Sequence, residues 1–208
     1  MDTRVDALNL IEAACWNELE RAAHEREHEW RLMALATADG SAPDLRTVVL
    51  RECDRTVRQL TFYTDARSPK VAQIVHMPQG TLLVWSRRLG WQLRMRCHLV
   101  IETDGQAVSA RWARLKMTPS AQDYLSPLPP GTPIEHPGLE RGTREHFAVV
   151  HARISTIDWL ELHDGGHRFL VTRDLESARS YLRERYADAR FARYGIVASS
   201  KDKWLPKH

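Results

Sequence analysis

Two stretches of this sequence carry positive charge where an anion could be held: "LRTVVLR" (45–51) and "YTDARSPK" (63–70). In the second, Tyr63 and Thr64 end an alternating strand, Ser68 suits a helix N-cap and Pro69 suits the first helical position. Lys70 then falls in the first helical turn, where the backbone dipole favours anions over cations. A lysine fits there if it and the free N–H groups share one anion, with the Ser68 hydroxyl as a further donor. Arg46 and Arg51 bracket "RTVVLR" and point to opposite faces of a strand, while Gln92 and Arg94 of "WQLRMR" share a face of a later one. The chain has 25 arginines and five lysines, three of the latter in the last eight residues, so Lys70 and Lys116 stand out in the body. Taken singly, each of these residues is equally what a solvated helix start or a barrel wall carries. Their order along the chain is the stronger signal.

A second pattern points elsewhere. "HEREH" (24–28) matches H-E-x-x-H, in which two histidines one helical turn apart bind zinc and the glutamate activates water. It sits at the charged end of a surface-type helix with no third ligand at a characteristic spacing, so no metal site is expected.

The elements that must position the cations read as mainly β. Residues 6–28 form an amphipathic helix with Leu8, Ile11, Cys15, Leu19 and Ala22 or Ala23 on one face. Strands follow at 30–38, 45–53 and 58–64, then the helix opened by Ser68, then strands at 81–86 and 91–102. Short links favour an antiparallel meander. A helix is expected at about 106–117. Residues 118–140 hold six of the ten prolines and read as a long irregular loop. A last hairpin (146–162 and 167–173) turns at "HDGG", and a polar helix (174–189) and a tail close the chain. The expected fold is α+β but mainly β: an antiparallel barrel with peripheral helices. The expected division is a barrel domain over 1–173 and a C-terminal helix and tail over 174–208.

Composition bounds the function. At 208 residues, 43% hydrophobic and 27% charged, the chain is long enough for a real core and ordinary for a soluble protein. A net charge of +3 argues against a nucleic-acid partner. Three scattered cysteines (Cys15, Cys53, Cys97) fit a reducing cytoplasm better than a disulfide framework. No signal peptide or transmembrane stretch is expected, so neither is a membrane partner.

"LRTVVLR", "FYTDARSPK" and "WQLRMR", in that order on strand, strand–helix junction and strand, resemble the pyridoxamine 5′-phosphate oxidase-like, FMN-binding split-barrel family. The likeness runs from about residue 30 to 120, with a weaker echo in "DWLELHDGGHRF", which is similar to a subgroup of uncharacterised flavoproteins. It implies a split β-barrel homodimer with FMN at the subunit interface. Arg46 and Lys70 would hold the FMN phosphate, with Thr47, Val48, Val49, Tyr63, Thr64 and Ser68 around it and Gln92 facing the flavin. Arg51 falls on a family lysine that touches flavin and substrate, and Arg168 resembles an arginine that reaches either. The family's substrate-binding tyrosine, arginine and serine fall on Trp112, Lys116 and Ser120. Pro69 replaces one phosphate-binding arginine, and the loop after Ser120 lacks the family's Gln-Ser pair. The implied function is an FMN-dependent oxidoreductase for a small, anionic substrate, with no residue singled out as catalytic. The alternatives are pyridoxamine (pyridoxine) phosphate oxidation itself and a non-catalytic FMN carrier or sensor.

Overall fold

The computed structural model describes residues 7–40, 42–133, 146–163, 166–171 and 195–198, with side chains within 10–162. Helix α1 (Ala7–His24) is followed by a 3-10 turn (Glu29–Arg31) and strands β1 (Leu32–Ala38), β2 (Pro43–Asp54) and β3 (Gln59–Asp65). Next come α2 (Pro69–His76), β4 (Gln79–Ser86), β5 (Trp91–Glu102) and α3 (Gln106–Leu115). A second 3-10 segment (Pro119–Tyr124) precedes β6 (Phe147–His163), β7 (Gly166–Val171) and β8 (Gly195–Ala198).

The sheet runs β3-β2-β1-β4-β5-β6-β7-β8, and β3 also pairs with β6, so β1–β6 close into a barrel. This corrects the simple meander: after α2 the chain returns to lay β4 against β1, not β3. Closure joins Thr61 to His151 and Phe62 to Val150 in register, which removes the open edges of those strands. The hairpin of β6 and β7 is as expected. β8 was not expected; it lies in the segment read as tail and pairs parallel with β7. The expected helix at 174–189 lies outside the described residues.

Alternation fills the barrel. Leu60, Phe62, Leu82, Val84, Leu93, Met95 and Leu50 are buried in one cluster, onto which α1 lays Cys15, Trp16, Leu19 and Ala22. Each buried Val, Leu, Phe or Met side chain among them stabilises the fold by about 1.5–3 kcal/mol relative to exposure. α1 ends at His24, before the expected 28, and Arg31 donates to the carbonyls of Ala22 and Ala23 at its C-terminus (3.3 and 3.0 Å). Trp30 and Arg31 belong to the 3-10 turn and not to β1. A second, outer cluster packs α3 and the 3-10 segment onto β3 and β6 through Val108, Leu115, Ala121, Tyr124, Phe147 and Val149. The proline-rich loop is therefore less irregular than its composition predicts, because Pro119 starts a helical turn as readily as it breaks one.

The β4–β5 turn depends on one glycine. Gly90 has φ +65°, and a Cβ there would lie 2.7 Å from the Leu162 carbonyl oxygen. Its own carbonyl accepts from Leu162 N at 2.8 Å, tying the turn to β6. Gly90→Ala is expected to destabilise the protein by about 1–3 kcal/mol through backbone strain and that clash. Urea denaturation checks this, and an unchanged midpoint would contradict the turn geometry.

Candidate functional site

The cations of the two sequence stretches meet where β3 runs into α2. Lys70 Nζ donates to Thr64 Oγ1 (3.0 Å) and Ser68 Oγ (2.6 Å). Ser68 has the extended backbone of an N-cap but makes no side-chain cap bond, because its hydroxyl faces Lys70 instead. Arg46 shares the inward face of β2 with Val48 and Leu50 but lies beyond the core, half-buried at the strand's start. Its guanidinium donates to Thr37 Oγ1 (2.5 Å), Gln73 Oε1 (2.9 Å) and the carboxylate of Asp44. Burial, and next the charge of Arg46, push the Lys70 ammonium below the ordinary lysine range, against the pull of Asp65 and Asp44.

That environment asks for an anion. A guanidinium, an ammonium with one N–H unspent, and two hydroxyls form the donor set a phosphate dianion takes. Asp44 is the only carboxylate bonded to Arg46 among the described residues, and it is half-exposed, so it can give way to a better-charged ligand.

Arg51 stands apart from this cluster. β2 bulges between Leu50 and Glu52, which turns Arg51 and Glu52 toward the outer cluster. The Arg51 guanidinium carbon lies 5.7 Å from the Tyr63 ring centre, and its Nη2 reaches Tyr124 Oη only at 3.3 Å. Its Nε is buried with no partner among the described residues. Beside it, Arg111 donates to both Glu52 oxygens (2.9 and 2.8 Å), and Tyr63 Oη donates to Glu52 at 3.1 Å. Burial and then the Glu52 charge push the Tyr63 hydroxyl up to about 12, so it stays a neutral donor. Trp112 packs on Phe147, ring centres 5.2 Å apart.

The other expected positions divide clearly. Thr47 is exposed and Val49 half-buried on the outward face of β2, whereas the Val48 side chain is in the core and can offer a ligand only its main chain. Gln92 faces outward, paired in register with Trp85 and Leu160, and Arg94 on the same face is bonded to Asp158. Lys116 is exposed just past α3, and Ser120 lies in the 3-10 segment; neither bonds to Arg51. Arg168 is placed on β7 opposite Glu161, with its side chain outside the described residues. Gln73, Thr37, Asp44 and Tyr124 were not anticipated. Gln73 follows Lys70 at helical spacing, and Asp44 precedes Arg46 on the same strand face, so two of the four were readable.

The H-E-x-x-H pattern is not a helical pair. His28 lies beyond the end of α1, where its Nδ1 accepts from Trp30 N (3.1 Å) and its Nε2 meets Glu18 (3.0 Å). Burial pushes the Cys53 and Cys97 thiols up to about 12, which leaves them inert as nucleophiles. No described helix is long and apolar enough to cross a membrane.

A closed six-stranded barrel, with an anion-ready turn after its third strand, defines a split-barrel cofactor-binding protein. Residues 13–103 match the family described as "Pyridoxamine 5′-phosphate oxidase, FMN-binding domain". The matched stretch, from within α1 to the end of β5, is similar to that FMN-binding domain, which implies FMN as the cofactor. A pyridoxine/pyridoxamine 5′-phosphate oxidase of Caulobacter vibrioides is 30% identical over 130 residues, 61% of this chain and 58% of its own length. The chain thus spans little more than half of that relative. One from Maricaulis maris is 37% identical over 79 residues, covering 38% of this chain and 35% of its own. Among solved structures, a pyridoxamine 5′-phosphate oxidase-related, FMN-binding protein from Nostoc punctiforme superposes with a TM-score of 0.62 at 25% identity, over 78% of this chain and 90% of its own. A Burkholderia lata protein in complex with tetrahydrophenazine-1-carboxylic acid shares the fold, with a TM-score of 0.61 at 18% identity over 80% and 87% of the chains.

Proposed function

We propose that the chain is a cytoplasmic, homodimeric FMN-dependent oxidoreductase acting on a small anionic substrate. The observation that carries this is the pair of cations at the β3–α2 turn. Arg46 and Lys70 would hold the FMN phosphate, with Thr64 and Ser68 as further partners. Bound FMN supplies the redox chemistry that no side chain here offers; the chain's own residues anchor, orient and exclude water. Gln92, beside Trp85 on the outward sheet face, is suited to meet the ring system. That face exposes Leu32 (61%), Leu83 (37%) and Trp85 (43%), apolar area that a second copy would cover to complete the site.

Arg51 would recognise the substrate's negative charge, since its unpartnered Nε and weakly bonded Nη2 form the edge that a carboxylate or phosphate bridges. Trp112 packs in the outer aromatic cluster without the hydroxyl of the family tyrosine, and Lys116 is exposed and carries a point charge in place of the family's guanidinium fork. This favours a substrate other than pyridoxamine phosphate.

FMN is expected to bind more tightly than riboflavin. Each charge-assisted bond lost is worth about 1.5–3 kcal/mol, so Arg46→Ala or Lys70→Ala should each weaken FMN roughly ten- to a hundredfold. Fluorescence-quenching titrations measure this, and equal affinities for FMN and riboflavin would contradict the phosphate assignment.

Turnover is read separately, by anaerobic titration of the FMN-loaded protein with small carboxylate- and phosphate-bearing reductants. Bleaching of the flavin band by one of them, but not by pyridoxamine phosphate, is the expected outcome. Rapid bleaching by pyridoxamine phosphate would restore the oxidase reading, and bleaching by none would leave a carrier.

A further inference from the structure

Arg67, inside the same turn, makes bonds that the phosphate cluster does not use. Its backbone N–H and Nε both donate to Asp65 Oδ1 (2.8 and 3.0 Å), and its Nη2 donates to Asp65 Oδ2 (2.6 Å). The guanidinium also reaches three consecutive carbonyls after the 3-10 segment. Nη1 donates to Pro127 O (3.0 Å), and Nη2 to Ser126 O (2.8 Å) and Leu128 O (3.3 Å). Among the described residues, these are the only hydrogen bonds that join 126–128 to another part of the chain. Ser126, Pro127 and Leu128 are exposed, so little apolar burial holds them.

The anchored segment begins next to a site residue. Tyr124, at the end of the 3-10 segment, places its hydroxyl on Arg51 and its ring 6.4 Å from Tyr63 and 5.6 Å from Phe147. We infer that Arg67 is a positioning residue: it straps 126–128 to the β3–α2 turn and so holds Tyr124 over Arg51. Because Thr64, Ser68 and Lys70 flank Asp65 and Arg67 in one turn, ordering that turn by a ligand also orders the strap. The strap therefore reports on the phosphate cluster although none of its hydrogen bonds is to Arg46, Thr64, Ser68 or Lys70. Only this linkage rests on the proposal that the FMN phosphate lies at Lys70; the strapping itself does not.

Chymotrypsin cleavage at Tyr124–Leu125 and Leu125–Ser126, identified by fragment mass, tests it on the full chain without FMN. Arg67→Lys is the informative variant, since it keeps a cation for the buried Asp65 but lacks the planar fork that spans the carbonyls. It is expected to keep the wild-type melting temperature within a few degrees and to be cut at these bonds at least tenfold faster. Arg67→Ala should be cut at least as fast. An unchanged rate in Arg67→Lys would overturn the inference, as would faster cutting at every site together with a lowered melting temperature. Added FMN should slow cutting of the wild type but not of Arg67→Lys, and equal slowing in both would overturn the linkage. Failure of the phosphate proposal shows elsewhere, as unaltered FMN affinity in Lys70→Ala with the cleavage results without FMN unchanged.

Discussion

Placing an arginine and a lysine side by side, partly out of water, costs free energy unless something negative is shared between them. Lys70 shows the cost directly: burial and the Arg46 charge hold its ammonium below the ordinary range, and its two hydrogen bonds go to neutral hydroxyls. Asp44 offsets part of the Arg46 charge from a half-exposed position. The rest of the barrel end is arranged around this unfinished pairing. Pro69 starts α2 where it does, Thr37 and Gln73 fix the Arg46 fork, and β3 delivers Thr64 to the ammonium. A phosphate monoester has the charge and the acceptor oxygens that this donor set lacks.

The Arg51 side of the molecule obeys a different constraint. A bulge in β2 aims Arg51 and Glu52 together at an aromatic cluster, and Arg111 neutralises Glu52 while one buried N–H of Arg51 has no partner among the described residues. The asymmetry is informative. A guanidinium that only braced the fold would be paired, as Arg111 and Arg94 are. An unpaired one beside a tyrosine hydroxyl is what an anionic substrate would find, and the strap held by Arg67 decides how firmly Tyr124 covers it.

Much of this was legible in the residues. The strand–helix junction at "YTDARSPK" was readable because Ser, Pro and the alternation of β3 each carry a local rule, whereas the Arg46–Lys70 pairing came only through the family resemblance that the order of blocks carries. The return of β4 to β1 was not readable, because short links say only that strands are near one another, and closure through β3–β6 is set by long-range pairing. Ser68 misled in detail: its backbone caps the helix, but its hydroxyl serves the lysine, a choice that burial makes and sequence does not record. Tyr124 and Arg67 were invisible because each acts across some sixty or seventy residues of sequence, on partners chosen by the fold.

Phosphorus NMR of bound FMN, followed against pH, tests the central claim most directly. A phosphate monoester takes up its second proton near pH 6 in solution, and adjacent cations favour the doubly charged form and lower that value. With Arg46 and Lys70 on the phosphate, the bound resonance is expected to keep its dianion position well below about pH 6. In Lys70→Ala the transition should move back up toward the solution value. A bound phosphate that titrates like free FMN in the wild type would contradict the claim that Arg46 and Lys70 hold it.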